Sequence, residues 1–185
     1  MVKPLIYAGI GSRETPAEIL KDMVYIGEEM GKSGWILRSG FADGADNAFA
    51  QGADSVDGQM EIYIPWLKFN GAPVDHPAII IPTVTAEMEQ IAADHHPAWG
   101  ACKQGARKLH TRNVCQVLGQ DLKTPADLII CWTRNGAGGG GTGQALRIAA
   151  TYQVPVFDLA LGQATVDALC TFISQLEQAR NGHSS

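Results

Sequence analysis

Apolar positions along the chain fall into two alternating rhythms. Short apolar runs at Leu5–Ala8, Trp35–Arg38, Met60–Ile64, Leu128–Trp132 and Val154–Asp158 have the length of buried strands, with glycine or proline close by. Between them the spacing turns helical. Ile19, Met23, Ile26 and Met30 recur on one face after Thr15-Pro16-Ala17-Glu18. That tetrad predicts a helix start, with Thr15 as N-cap, Pro16 at the first position and Glu18 closing a capping box; Gly31 or Gly34 is the expected stop. Further helices are predicted at 45–53, 86–94, 98–118, from Gln144 to Ala150, and at 165–179. Strands alternating with helices predict an α/β, Rossmann-like, doubly wound fold: a mainly parallel sheet in a three-layer arrangement. Residues 66–83 break the rhythm with an Asn70-Gly71 turn and Pro73, Pro77 and Pro82, and read as an excursion loop serving as a lid or subunit contact. The pattern predicts one domain over 1–180 and a tail over 181–185.

Composition narrows the class. The 185 residues are 45% hydrophobic and 18% charged, ordinary values for a globular chain able to bury its own core. Cys102, Cys115, Cys131 and Cys170 are widely spaced, without a CxxC pair, so reduced thiols are expected. No leader-like run and no membrane-length apolar stretch is visible, and the expected location is cytoplasmic, with no membrane partner. The net charge of −5 speaks against general nucleic-acid binding, but it is unevenly spread. Residues 95–150 hold seven basic and two acidic residues (net +5), and the remainder seven basic and seventeen acidic (net −10). A basic segment beside a glycine run suits one anionic ligand focused at one place; a solvated helix face is the plainer alternative.

Three strand-to-helix junctions carry the candidate chemistry. After the first strand, Gly9-Ile-Gly11-Ser12-Arg13 offers a tight turn, a hydroxyl for a phosphate and a guanidinium able to pair with one bidentately. After the second, Ser39-Gly40-Phe41-Ala42-Asp43-Gly44-Ala45-Asp46 ends at a helix start, where Asp46 either caps the helix or accepts from a ribose hydroxyl. Arg38, at the end of that strand, is expected to point into the same crevice. After the fourth, Gly138-Gly139-Gly140-Gly141-Thr142-Gly143-Gln144 joins a strand to a helix. There the main chain can approach a ligand closely, and unpaired N–H groups and a positive dipole end favour an anion.

Gly-Ser-Arg after strand one, Ser-Gly-x-Ala-x-Gly-Ala-Asp after strand two, Arg112-Asn113, and the glycine-Thr-Gly loop occur in an order that resembles the SLOG superfamily. That group contains the LONELY GUY phosphoribohydrolases, the Rossmann-like core of the DNA-processing protein DprA, and the YspA/YpsA-type proteins, whose signatures are nearest. The likeness spans about residues 5–160. It implies a Rossmann-like fold, frequent homodimers or higher homo-oligomers, and a pocket for a nucleotide-derived small molecule, with Arg112 and Asn113 beside it.

One departure bears on activity. Aligning Gly141-Thr142 with the LONELY GUY motif puts Ala145 where that motif has its glutamate, with Gln144 alongside. Phosphoribohydrolase chemistry would need a carboxylate from Asp43, Asp46 or Glu14 instead. Binding of a nucleotide-derived, phosphorylated-ribose ligand, as a sensor or sequestering module, is therefore the expected function. Arg13 and the Gly138–Gly143 N–H groups would hold phosphate, Thr142 would donate a hydroxyl, Asp43 or Asp46 would read ribose, Arg112 would neutralise a second phosphate, and Trp66 would cover a base. A nucleoside 5′-monophosphate phosphoribohydrolase is one alternative. Handling of single-stranded DNA is another, resting on Lys103, Arg107 and His110 at i, i+4, i+7, with Trp66, Trp99, Trp132 and Arg134 for stacking. Asp75 and His76 have no spacing that demands a catalytic role. His95-His96 lack helical metal-pair spacing, so neither a metal nor a cofactor is expected.

Overall fold

A computed structural model describes residues 3–182. Six strands form one sheet: β1 (Ile6–Gly9), β2 (Ile36–Ser39), β3 (Met60–Tyr63), β4 (Ile79–Ile80), β5 (Leu128–Cys131) and β6 (Val156–Asp158). Their order is β4-β3-β2-β1-β5-β6, and every pairing is parallel. Among the described residues, five α-helices lie between the strands and a sixth follows β6: α1 (Ala17–Lys32), α2 (Ala45–Asp54), α3 (Ala86–Asp94), α4 (Gln104–Leu118), α5 (Gly140–Thr151) and α6 (Gln163–Gly182). This is a three-layer α/β Rossmann-like fold.

Alternation along the strands sorts the core into two halves. Tyr7, Leu37, Leu128 and Ile130 face one way and pack with Met23 and Met30 of α1, Phe49 of α2 and Leu169 of α6. Ile6, Ala8, Ile129 and Cys131 face the other way, against Ile91 of α3, Val114 and Leu118 of α4 and Ile148 of α5. Helices α1 and α2 meet backbone to backbone. A β-carbon on Gly27 would lie 2.4 Å from the Phe49 carbonyl oxygen, and one on Gly52 2.0 Å from that of Val24. Their glycines set how tightly this layer closes on the sheet.

Local expectations needed several corrections. Helix α1 starts at Ala17 with Pro16 as its flanking residue and no side-chain cap; the Thr15 hydroxyl donates instead to the Ser12 carbonyl oxygen at 2.7 Å. The first-junction turn has claimed the cap. Helix α3 does carry its cap, Thr85 accepting from the Met88 N–H. The excursion over 66–83 contains a 3₁₀ turn at Phe69–Gly71 and the edge strand β4, paired to β3 through Ile62 and Tyr63. The predicted helix over 98–118 divides into a 3₁₀ turn at Trp99–Ala101 and α4. Helix α6 continues through Gly182, into the predicted tail, whose residues 183–185 lie outside the described residues.

The chain reverses its direction of travel across the sheet at β1. From there it steps outward to β2, β3 and β4, then returns to the other side of β1 for β5 and β6. Open parallel sheets split their strand-end loops at such a point and leave a crevice there.

Candidate functional site

That crevice is a cavity of about 720 Å³ at the carboxyl ends of β1 and β5. All three junctions reach it. Gly11, Ser12, Arg13 and Glu14 come from the loop after β1, Ala42 and Asp46 from the turn into α2, and Thr133, Arg134 and Gly139–Thr142 from the β5–α5 loop. Helix α4 closes the remaining side with His110, Arg112, Asn113 and Gln116.

The glycine run forms the first turn of α5. Gly138 and Gly140 have φ of 62° and 59°, left-handed backbone that glycine adopts without a β-carbon clash. The first intrahelical bond runs from Gly143 N–H to the Gly139 carbonyl at 2.9 Å. The N–H groups of Gly140, Gly141 and Thr142 therefore precede the helical ladder and stand at the positive end of α5, against the cavity. A hydrogen-bond chain holds the loop. Gly138 N–H donates to the Thr133 hydroxyl at 3.2 Å, and that hydroxyl donates to the buried Asp158 carboxylate, which also accepts from Thr133 N–H at 3.0 Å. Nothing in the local sequence marked Thr133 or Asp158; only the β5–β6 pairing sets them side by side.

Arg112 and Asp46 form the floor. Both side chains are 5% exposed, with Arg112 Nη1 3.8 Å from Asp46 Oδ2. Gln116 serves both neighbours on α4: its amide oxygen accepts from Arg112 Nη1 at 3.0 Å and from Gly40 N–H at 2.9 Å, and its nitrogen donates to Asn113 Oδ1. The guanidinium lies 5.7 Å from the centre of the Phe69 ring, while its Nε has no protein partner. Burial raises the Asp46 carboxyl to about 6 against the pull of Arg112, and burial lowers Arg112. A β-carbon at Gly40 would come within 1.4 Å of Arg112 Nη1, so glycine there is the space the guanidinium occupies.

Gln144 is buried behind the wall. Its Oε1 takes His110 Nδ1 at 2.9 Å and Asn113 Nδ2 at 3.1 Å, while its Nε2 donates to the Ala92 carbonyl at 2.9 Å. An amide oxygen as partner puts the His110 proton on Nδ1. Burial lowers the His110 pKa, keeping the ring neutral. Ser12 Oγ accepts from Glu14 N–H at 3.1 Å, leaving its own hydrogen to donate, and the Glu14 carboxylate meets Arg134 at 2.6 Å on the rim.

Several expected site residues lie elsewhere. Arg38 does not enter the crevice. It is buried against Glu61 at 2.6 Å and the Thr124 carbonyl, because it shares a strand face with its register partner Ala8 rather than standing at the strand end. Trp66 is outside the cavity, edge-on to Phe69 at 5.4 Å, and Asp43 is exposed away from it. Gly44 (φ 87°) shapes the turn against the Ser12 backbone, and Gly143 packs behind the loop on the Gly138 carbonyl; neither lines the cavity. Trp99 and Trp132 pack onto the two core halves, and Arg107 lies 5.3 Å over the Trp99 ring. Ala145 does line the cavity, one turn into α5.

The histidines divide between two settings. His95 is engaged at both nitrogens, with the Ile91 carbonyl and the Thr151 hydroxyl. His96, Cys102 and His110, by contrast, gather with donor atoms all within 4.8 Å of one another.

No protein-family model matches the chain, and no curated protein sequence matches it. Solved structures do. The molybdenum cofactor binding protein from the phototrophic bacterium Rippkaea orientalis is 22% identical, with a TM-score of 0.55 over 84% of this chain and 76% of that one. DNA processing protein A from Helicobacter pylori, described for its single-stranded DNA binding mode, is 20% identical with a TM-score of 0.52, over 84% of this chain. This chain spans only 65% of that protein's length. The molybdenum cofactor carrier protein from Chlamydomonas reinhardtii is 18% identical, with a TM-score of 0.50 over 83% of this chain and 75% of that one. Among the described residues no helix is long and apolar enough to cross a membrane. The chain has the Rossmann-like fold that these proteins share, the fold that the SLOG resemblance implies.

Proposed function

We propose that this protein binds a nucleotide-derived small molecule carrying phosphate on ribose or a comparable group, in the crevice between the β1 and β5 loops, and holds it rather than cleaving it. The observation that carries the reading is Arg112: a guanidinium with 5% of its side chain exposed, lining the cavity that Arg13 and Gly139–Thr142 also line. A buried guanidinium in a cavity wall, facing the N-terminal turn of α5 across the same cavity, suits an anionic ligand. The first-turn N–H groups of α5 and the exposed Arg13 supply the remaining anion contacts, with Ser12 and Thr142 as hydroxyl donors. Asn113 Nδ2 is turned to the Gly141 carbonyl at 3.3 Å and braces the loop.

Holding is favoured over hydrolysis by the carboxylates. Ala145 presents a methyl group to the cavity, Glu14 is paired with Arg134 on the rim, and Asp46 is committed to Arg112. Thermal-shift and calorimetric titration against nucleoside mono-, di- and triphosphates, the molybdenum cofactor and short single-stranded DNA tests this, with chromatography of every hit. Binding of one small anionic compound, recovered intact and weakened at least about tenfold by Arg13→Ala (about 1.4 kcal/mol), is the expected result. Free base released from a nucleotide would replace the reading with a phosphoribohydrolase. A preference for DNA that falls steeply with salt would replace it with DNA handling.

The assembly we infer is a homodimer joined through the excursion after β3. Trp66, Leu67, Val74 and Ile81 are all exposed there, more apolar area than an isolated surface loop needs.

A further inference from the structure

Among the described residues, His96, Cys102 and His110 are the one group of three potential metal donors whose ligating atoms converge. Three separate pieces of chain deliver them. His96 follows the end of α3, Cys102 follows the Trp99–Ala101 turn, and His110 projects from the second turn of α4. Each is half-buried, shielded enough to be held and open enough to be reached. Cys102 Sγ stands 3.7 Å from His96 Nδ1 and 3.8 Å from its Nε2, and the His96 and His110 ring centres are 4.2 Å apart. A thiolate and an imidazole nitrogen sharing one tetrahedral zinc ion stand about 3.5 Å apart, given bonds near 2.3 and 2.0 Å. The sulfur and the His96 ring are thus already close to the separation that coordination needs.

The surroundings of His110 are those of a ligand histidine. Its Nδ1–H is tied to the Gln144 amide oxygen at 2.9 Å, which leaves Nε2 as the free lone pair and fixes the ring plane. An outer hydrogen bond of this kind is how proteins orient imidazole ligands. Gln144 is itself anchored by the Ala92 carbonyl and Asn113. The competing contacts are weak: Ala98 N–H reaches His96 Nδ1 at 3.2 Å, and Cys102 Sγ reaches the Ala98 carbonyl at 3.5 Å.

We propose that His96, Cys102 and His110 form a zinc-type transition-metal site at the edge of the cavity, with its fourth coordination position open. Two neutral imidazoles and one thiolate suit zinc and neighbouring borderline ions and disfavour calcium or magnesium. Three protein ligands leave one place for water or for an anionic oxygen of a molecule in the cavity, whose wall His110 also forms. This goes beyond the ligand-holding role and does not depend on it.

Titration of the reduced 185-residue chain with cobalt(II), followed by competition with zinc, tests the site without any organic ligand. The expected result is one saturable equivalent, with the visible absorption of tetrahedral cobalt and a thiolate-to-cobalt charge-transfer band in the near ultraviolet. C102S abolishes that band, whereas C170S, at an exposed cysteine remote in sequence, keeps it. H96A and H110A each weaken zinc by more than about 100-fold, the upper end of what losing a mere outer partner costs. Thermal unfolding of each variant confirms that it is folded. Absence of saturable binding overturns the proposal, as does a charge-transfer band that survives C102S, or full affinity retained in H96A or H110A.

Discussion

Arg112 and Asp46 face one another at 3.8 Å with 5% of each side chain exposed, yet the pair leaves the guanidinium Nε without a protein acceptor. The two residues hold each other's charge, and together they set the charge of the cavity floor. Burial pushes Asp46 up to about 6. Its protonation near that pH removes the carboxylate's claim on Arg112 and leaves an unopposed cation at the floor.

Anion binding should therefore tighten as the pH falls through about 6. Sulfate, which does not titrate in this range, is the probe. Its affinity is expected to rise at least about threefold between pH 7.5 and 5, roughly 0.65 kcal/mol, and Asp46→Asn should bind it tightly at both pH values. Stability follows the same sign. A carboxyl held above its unfolded value takes up a proton on folding, so Asp46 costs stability above about pH 6, and the cost is relieved as the pH falls toward 4. Subtracting the Asp46→Asn stability profile from that of the wild type isolates this contribution.

Removing only the cation leaves a buried carboxylate unmatched. Arg112→Met should destabilise the fold by about 3–5 kcal/mol, read from denaturant unfolding. The double variant Asp46→Asn/Arg112→Met should recover most of that loss while still failing to bind sulfate. Full recovery of binding in the double variant would remove Arg112 from the site.

Gly40 is the space into which Arg112 fits. Gly40→Ala would set a methyl group 1.4 Å from Nη1 and displace the guanidinium from Gln116 and Asp46. A loss of about 2–3 kcal/mol is expected from disturbing this buried network, together with weaker sulfate binding. Gly100→Ala, which meets no neighbouring atom, is the control.

Thr133 ties the glycine loop to Asp158. Thr133→Val keeps the shape but strands the Gly138 N–H and one oxygen of a buried carboxylate, at a cost of about 1–3 kcal/mol. Amide exchange should quicken over 134–142 while β1 and β5 stay protected.

Trp66 and Leu67 carry the inferred dimer contact. Trp66→Ser/Leu67→Ser should yield a monomer by sedimentation velocity, with the sulfate affinity unchanged, because neither residue lines the cavity.

Much of this protein was legible in the order of its residues. Apolar runs at Leu128–Cys131 and at Ile6–Ala8 announce strands buried on both faces, and Met23 and Met30 announce the inner side of α1, because a sheet covered by helices leaves those periods in the sequence. The three junctions at Gly11, Asp46 and Gly139–Thr142 were visible for the same reason: turns that end strands and start helices need particular residues locally. The two-residue strand β4 was not visible, being too short to show a period. Arg38 left the crevice because strand register, not sequence position, decides where a side chain emerges. Register places Arg38 beside Ala8 and against Glu61, inside the layer covered by α4. Helix α4 in turn carries Arg112 onto Asp46, 66 positions earlier in the chain. The gathering of His96, Cys102 and His110 likewise depends on how the chain turns between α3 and α4. Local chemistry is written in neighbouring residues, whereas convergence across distant segments exists only once the layers have packed.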